Sequence, residues 1–177
     1  MAGRIEVICG SMFSGKSEEL VRRLRRARIA RKAVLAIKHA ADDRYHPEKI
    51  GCHTGETFEA RPYKTVAGIE KAARGVEVLG IDEAQFFGAD LIPFCEQWAG
   101  AGVRVIVAGL DMDSEGKPFG PIPHLMAIAE SVTKLHAICV TCGEEASFSF
   151  HKGKKEGQVE VGADQYEARC RTCWRTR

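Results

Sequence analysis

The sequence predicts an α/β fold, a parallel-sheet core followed by a small C-terminal appendage. Two observations predict it. Strand-like and helix-like patterns alternate over the first 135 residues, as they do in consecutive βαβ units. From Ile138 the alternation gives way to short Gly-rich segments bracketed by two cysteine pairs.

Each element can be justified in turn. Arg4 to Cys9 reads as a buried strand. Ser17 to about Lys32 reads as a helix, because Leu20, Val21, Leu24 and Ala27 share one face. Ala33 to Lys38 is a second strand, and the polar stretch from His39 to Thr57 shows no periodicity and reads as a long loop. Helix-like residues from Thr65 to Arg74 lead into the apolar strand Val76 to Ile81. Ala89 to Trp98 is helical and stops near Gly100 and Gly102, and Val103 to Ala108 is a strand. Leu125 to Glu130 is a short helix, and Val132 to Ala137 is the last core strand. The division is expected near His136, with residues 1–136 forming the core domain and 137–177 the appendage.

Bulk properties exclude several classes. With 177 residues, 45% hydrophobic and 28% charged, the chain has room for one ordinary globular core and a small extra unit. No apolar run approaches the ~18–20 residues that span a bilayer, and no signal-peptide pattern opens the chain, so a cytoplasmic protein is expected. A net charge of +2 does not argue for a nucleic acid or a membrane partner. Seven cysteines without an export signal do not read as a disulfide framework; Cys9, Cys52 and Cys95 read as buried free thiols.

Gly10-Ser11-Met12-Phe13-Ser14-Gly15-Lys16-Ser17 matches G-x-x-x-x-G-K-[ST] at every required position, between a strand and a helix. In that context the fold class becomes a P-loop NTPase (RecA-like) parallel sheet. Backbone N–H groups of such a loop turn inward around phosphate oxygens, and the helix N-terminus adds partial positive charge. Lys16 can reach the β- and γ-phosphates of ATP, and the Ser17 hydroxyl can ligate Mg²⁺. Val76 to Glu83 then reads as a hydrophobic strand ending in two carboxylates, with Asp82 placed for the same Mg²⁺ and Glu83 at the reactive end of the strand. Ala84 and Gln85 follow as candidate cofactor-binding positions. The bland reading of these acids is a helix N-cap pair.

Cys139-x-x-Cys142 and Cys170-x-x-Cys173 are two knuckle-type pairs with 27 residues between them. Four thiolates suit a closed, structural Zn²⁺ site in a zinc-ribbon-like unit. Redox pairs and an iron–sulfur cluster are the rival readings. The intervening segment is too short to bury a core, so metal would supply much of its folding energy.

This combination resembles the zinc-containing thymidine kinase family over Gly3 to about Trp174. The markers are the Gly10–Ser17 loop, Ile81-Asp-Glu-Ala-Gln-Phe-Phe87, Gly109-Leu-Asp-Met-Asp113, Lys117-Pro-Phe-Gly120, the two cysteine pairs and Val161-Gly-Ala-Asp-Gln-Tyr166. The resemblance implies transfer of the ATP γ-phosphoryl to the 5′-hydroxyl of thymidine, with deoxyuridine a further substrate, in a homotetramer. It implies that Glu83 is the general base, that Arg44 meets the phosphates, and that a lasso-like loop between the cysteine pairs closes over the nucleoside. Val161 and Gly162 would lie along the base, Tyr166 on the sugar, and Met12, Phe86, Leu110 and Phe119 would form apolar walls, with Ser149 also facing the substrate. Two positions depart from the family pattern. Ser114 stands where an aromatic residue is usual, and Ser149-Phe150-His151 replaces the usual Thr-x-Arg; both touch the expected nucleoside neighbourhood, and an aromatic ring at 114 would offer a base a flat face to stack on. One alternative is a nucleic-acid-stimulated P-loop ATPase with a zinc ribbon, drawing on the basic run Arg22, Arg23, Arg25, Arg26, Arg28, Arg31 and Lys32. Another is a kinase for a different small alcohol.

Overall fold

The structure, a computed structural model, describes residues 3–42, 48–51, 55, 57–153 and 163–176. The core runs β1 (Arg4–Gly10), α1 (Lys16–Ile29), β2 (Val34–His39), β3 (Lys49–Gly51), β4 (Thr57–Glu59), β5 (Arg61–Tyr63), α2 (Ile69–Ala72), β6 (Val78–Asp82), α3 (Leu91–Gly100), β7 (Arg104–Gly109), α4 (Ile122–Ile128) and β8 (Ser131–Leu135). Six of these strands pair in the order β5-β2-β6-β7-β1-β8, every pair parallel. One strand, β7, therefore separates β1 from β6, which is the RecA-like arrangement. The remaining elements are β9 (Ala137–Ile138), β10 (Glu145–Ala146), β11 (Phe148–His151), β12 (Tyr166–Arg169) and α5 (Arg171–Arg175), with β9 antiparallel to β10 and β11 to β12.

Alternation along the strands builds two cores. Val7, Cys9, Ile37, Leu79, Ile81, Val105 and Val107 point to one face, where Leu91, Phe94 and Cys95 of α3, Ile122 and Leu125 of α4 and Ile69 of α2 cover them. Ile8, Ala36, Val78, Ile106 and Ala108 point to the other, against Leu20, Val21, Leu24 and Ala27 of α1 and against Ile50 and Phe58 of β3 and β4. Both faces are covered, so the strands read as near-continuous apolar runs. A third, smaller cluster of Ala137, Cys139, Ala146 and Ala168 belongs to the C-terminal elements. The described cysteines outside the paired motifs, Cys9 and Cys95, are buried free thiols, as expected; burial pushes them up to about 11 and about 12. Cys52 lies outside the described residues.

Three differences from the sequence reading have physical causes. The stretch from His39 to Thr57 is not all loop, because Lys49–Gly51 pairs with Thr57–Glu59. Each of those strands carries one buried apolar residue, Ile50 and Phe58, too few to show a period. Helix α1 ends at Ile29, before Lys32: Arg31 adopts φ 58°, and Lys32 N–H closes back on the Ala27 carbonyl at 3.1 Å. That is a Schellman-type stop made without glycine, so no sequence signal marks it. Strand β5 contains Pro62, which argues against a central strand but is tolerated at the sheet edge where β5 lies.

Helix α1 packs closely because Gly80 of β6 has no side chain. A Cβ built there would lie 2.8 Å from both terminal methyl carbons of Leu24. We expect Gly80→Val to destabilise the protein by about 1–3 kcal/mol through overpacking, read as a lower urea midpoint. An unchanged midpoint would mean that α1 can move outward freely.

Candidate functional site

Parallel strands leave the sheet at a common edge, and the groups singled out by sequence gather there. β1 ends at Gly10, which adopts φ 140°; a Cβ here would lie 2.1 Å from the Leu135 carbonyl oxygen, so only glycine passes. The turn that follows is held by its own side chains. Ser14 Oγ donates to the Ser11 carbonyl at 2.8 Å, and Lys16 Nζ donates to the same oxygen at 2.6 Å. Phe13, at φ 65°, is 40% exposed at the outside of the turn. Gly15, left-handed at φ 83°, leads into α1.

Asp82 ends β6 and is 4% exposed, and Ser17 Oγ donates to its Oδ1 at 3.3 Å across the intervening strand. Burial raises the Asp82 carboxyl well above the usual range, the neighbouring Glu83 raises it further, and the Ser17 bond offsets part of this. A dipositive ion beside the two acids would reverse that shift, so the residues present fit Mg²⁺ chemically. Glu83 adopts φ 51°, an uncommon conformation for a non-glycine residue that turns the chain sharply at the strand end. Gln85, 2% exposed, fixes that turn: its Nε2 donates to Glu83 Oε2 at 2.5 Å and its Oε1 accepts Leu110 N–H at 3.0 Å. Ala84 is fully buried in the sheet core.

Aromatic residues stand beside this rim. Phe86 and Phe119 meet edge to face at 6.0 Å, and His39 lies 5.8 Å from Phe86 and 4.8 Å from Phe87. Met12, Leu110 and Phe119 are half-buried. Sequence reasoning missed His39, which ends β2 on the same edge. It also missed the ion pair of Lys134 with the 5%-exposed Asp111 at 2.6 Å, although the marker Gly109–Asp113 contains Asp111.

The C-terminal elements are bonded directly to the turn. Ser11 Oγ donates to the Ala146 carbonyl at 3.0 Å, and Met12 N–H donates to Ser149 Oγ at 3.0 Å. Ser149 is 4% exposed, so both bonds are sheltered from water. Two residues along β11, His151 pairs across the ladder with Tyr166, ring edge to face at 5.0 Å. Phe148 stacks on Trp174 at 4.7 Å, and Trp174 Nε1 donates to the Ser114 carbonyl at 3.3 Å. Ser114 is thus 8% exposed and covered by α5. Arg44, Val161 and Gly162 lie outside the described residues.

Cys139, Cys142, Cys170 and Cys173 converge, their four Sγ atoms all within 4.8 Å of one another. Cys142 and Cys170 are 3.7 Å apart, and a tetrahedron of Zn–S bonds of about 2.3 Å has edges of about 3.75 Å. Burial pushes the Cys139 thiol up, but N–H groups of Cys170, Thr141 and Cys142 aimed at it outweigh that and bring it to about 6, favouring the ligating thiolate. The four residues could hold a metal ion. Among the described residues no helix is long and apolar enough to cross a membrane.

The fold and this rim define a RecA-like α/β protein carrying a four-cysteine module. A thymidine kinase family profile matches residues 3–174. The thymidine kinase of Bacteroides thetaiotaomicron is 52% identical over 173 residues, covering 97% of this chain and 87% of that protein. Those of a Rhodothermus species (51% identity, 97% and 81% covered) and Halobacterium salinarum (46%, 97% and 94%) are also similar. The chain belongs to the thymidine kinase family.

Removing the Ser149 hydroxyl would take the partner from the backbone N–H of half-buried Met12. We expect Ser149→Ala to cost about 1–3 kcal/mol and to speed amide exchange at Met12. Unchanged exchange would mean that the turn holds its shape without this bond.

Proposed function

We propose that this chain is a thymidine kinase, moving the γ-phosphoryl of ATP to the 5′-hydroxyl of thymidine, and also accepting deoxyuridine. The observation that carries the reading is the Ser17–Asp82 hydrogen bond with Glu83 clamped beside it by Gln85, in a chain about half identical to curated thymidine kinases over nearly its whole length.

In this reading, backbone N–H groups of the Gly10–Ser17 turn other than that of Met12 cradle the ATP phosphates, and Lys16 turns from the Ser11 carbonyl to the β- and γ-oxygens. Ser17 and Asp82 hold Mg²⁺, which neutralises phosphate charge when bound. Glu83 accepts the proton of the 5′-hydroxyl as that oxygen bonds to the γ-phosphorus and the bond to the β-phosphate oxygen breaks, releasing ADP. Arg44 adds positive charge near the transferring group. Met12, Phe86, Leu110 and Phe119 wall the base, Val161 and Gly162 run along it, and Tyr166 closes on the sugar. Ser149 acts one step back from the substrate, by fixing Met12.

Zn²⁺ in the four-cysteine site keeps the module folded and so holds β11 against the turn. The division near residue 136, a homotetrameric assembly and a cytoplasmic location complete the proposal. The nucleic-acid-stimulated ATPase is the weaker reading, since Arg22, Arg23, Arg25 and Arg28 of the basic run are engaged with Glu19, Glu6, Thr57 and Glu59.

Two measurements test the proposal. Glu83→Gln should lower thymidine-dependent ATP turnover ~10²–10⁴-fold with thymidine binding largely kept; near-normal turnover would rule out the base. Metal analysis of protein purified without chelator should give about one zinc per chain, and Cys173→Ala should abolish retention. Zinc-free protein with full activity would contradict the structural role.

A further inference from the structure

At the opposite edge of the sheet, ~20 Å from Gly10 by the length of β1, lies a second feature that phosphoryl transfer does not use. An open crevice of about 560 Å³ is lined by five arginines (Arg4, Arg22, Arg23, Arg26 and Arg104) against two carboxylates, Glu6 and Glu130. Glu6 is 4% exposed, on β1 beneath α1, and it organises the others. Its Oε1 accepts Arg4 Nε and Arg104 Nε, both at 2.7 Å, and its Oε2 accepts Arg23 Nη1 and Arg104 Nη2, both at 2.9 Å. Burial pushes the Glu6 carboxyl up, but the hydrogen bonds and charges of Arg104 and Arg4 outweigh this and hold it at about 2, so it stays ionised. Glu130, the second carboxylate of the lining, is held by the backbone, its Oε2 accepting Ile5 N–H at 2.6 Å.

Both Glu6 oxygens are thus saturated while the guanidinium groups are not. Arg23 spends its donors on Glu6, Glu19 and Thr133. Among the described residues the Arg4 guanidinium spends only Nε, and that of Arg104 keeps Nη1. The guanidinium of Arg26, exposed in the last turns of α1, has no hydrogen-bond or ion-pair partner among the described residues. A buried acid that fixes the Arg4 and Arg104 guanidiniums at an open crevice, with N–H groups of both left over and Arg26 lining the same crevice, is a preorganised receptor for a planar or tetrahedral oxyanion.

We propose that this crevice is a second anion site that binds a phosphate chain, free or as the tail of a nucleoside polyphosphate, with Arg4, Arg26 and Arg104 as its donors and Glu6 as the residue that positions Arg4 and Arg104. The site lies on the α1 side of the sheet but at the end of the strands away from the Gly10–Ser17 turn, so the two sites fill independently.

Calorimetric titration with magnesium-free tripolyphosphate tests this on the intact protein, using wild type, Arg4→Ala/Arg26→Ala and Lys16→Ala. Wild type should show two binding events. The double arginine variant should lose one of them, or weaken it at least tenfold, while thymidine-dependent turnover stays unchanged. Lys16→Ala should keep that event and lose the other, so a failure of the proposed ATP site is seen separately. The arginine-dependent event should weaken as salt rises. Because Arg26 is exposed, Arg26→Glu supplies the same test if the double variant misfolds. Repeating the titration with ATP separates the sources: equal affinity means that the chain is read alone, and tighter binding means that the nucleoside is held too. A single event unaffected by the arginine substitutions overturns the proposal. So does a change of sedimentation mass in the arginine variants without loss of tripolyphosphate binding, which would give the crevice to acidic side chains of a second copy.

Discussion

Parallel pairing is the constraint from which the rest follows. With β1, β2, β6 and β7 all running one way, Gly10, His39, Asp82 and Gly109 arrive at the same edge with no further strand residues to pair with. The chain must turn there, and each turn presents polar groups that the sheet no longer satisfies. The turn after β1 can form only because Gly10 slips past the Leu135 carbonyl. The one after β6 forms because Gln85 bridges Glu83 to the start of the next turn at Leu110. One glutamine therefore couples the ends of two neighbouring strands, and the position of Glu83 depends on β7 as much as on β6.

The C-terminal module inherits its position from the same edge. Its own apolar cluster is four small or thiol-bearing residues, Ala137, Cys139, Ala146 and Ala168, far too little to order a segment against its conformational entropy. Two kinds of interaction make up the difference. The four convergent thiols offer a metal cross-link, and the Ser11–Ala146 and Met12–Ser149 bonds attach the module to the Gly10–Ser17 turn. Loosening the module would therefore disturb the turn itself, along with anything the module covers. Phe148 and Trp174 extend the attachment to Ser114, which is why a serine at that position sits under α5 with its backbone engaged.

Where the sequence was legible, a period or a spacing exposed it. The α1 face, the five longer core strands, the Gly10–Ser17 turn and the convergence of four cysteines all stand where the pattern puts them. Reading failed where the determinants are single residues or non-local bonds. A three-residue strand with one buried side chain has no period, and the Arg31 helix stop uses no glycine. Gln85 stands in the sequence beside the strand end as a candidate cofactor residue, and nothing local signals its clamp, which depends on Leu110, 25 residues away. Ser149 falls in a motif expected on the substrate side, and nothing in that motif signals that its hydroxyl accepts the Met12 N–H of the turn. Arg44, Val161 and Gly162 stay expectations of the resemblance alone.

Two buried acids on the α1 side of the sheet show how structure and function diverge. Glu6, near the amino ends, meets three guanidiniums that return more than the cost of burial, so its carboxylate is stable without any ligand. Asp82, at the carboxyl ends, is equally buried but has a hydroxyl and a second acid for neighbours, and its charge is disfavoured. A fold under selection for stability alone would give Asp82 an arginine, as it does Glu6, or replace it by an apolar residue. Keeping an under-compensated carboxylate beside Ser17 makes sense where a cation arrives with the substrate. The hydroxyl and acid neighbours of Asp82 are thus what the proposed cation-dependent reading needs, and an arginine there would work against it.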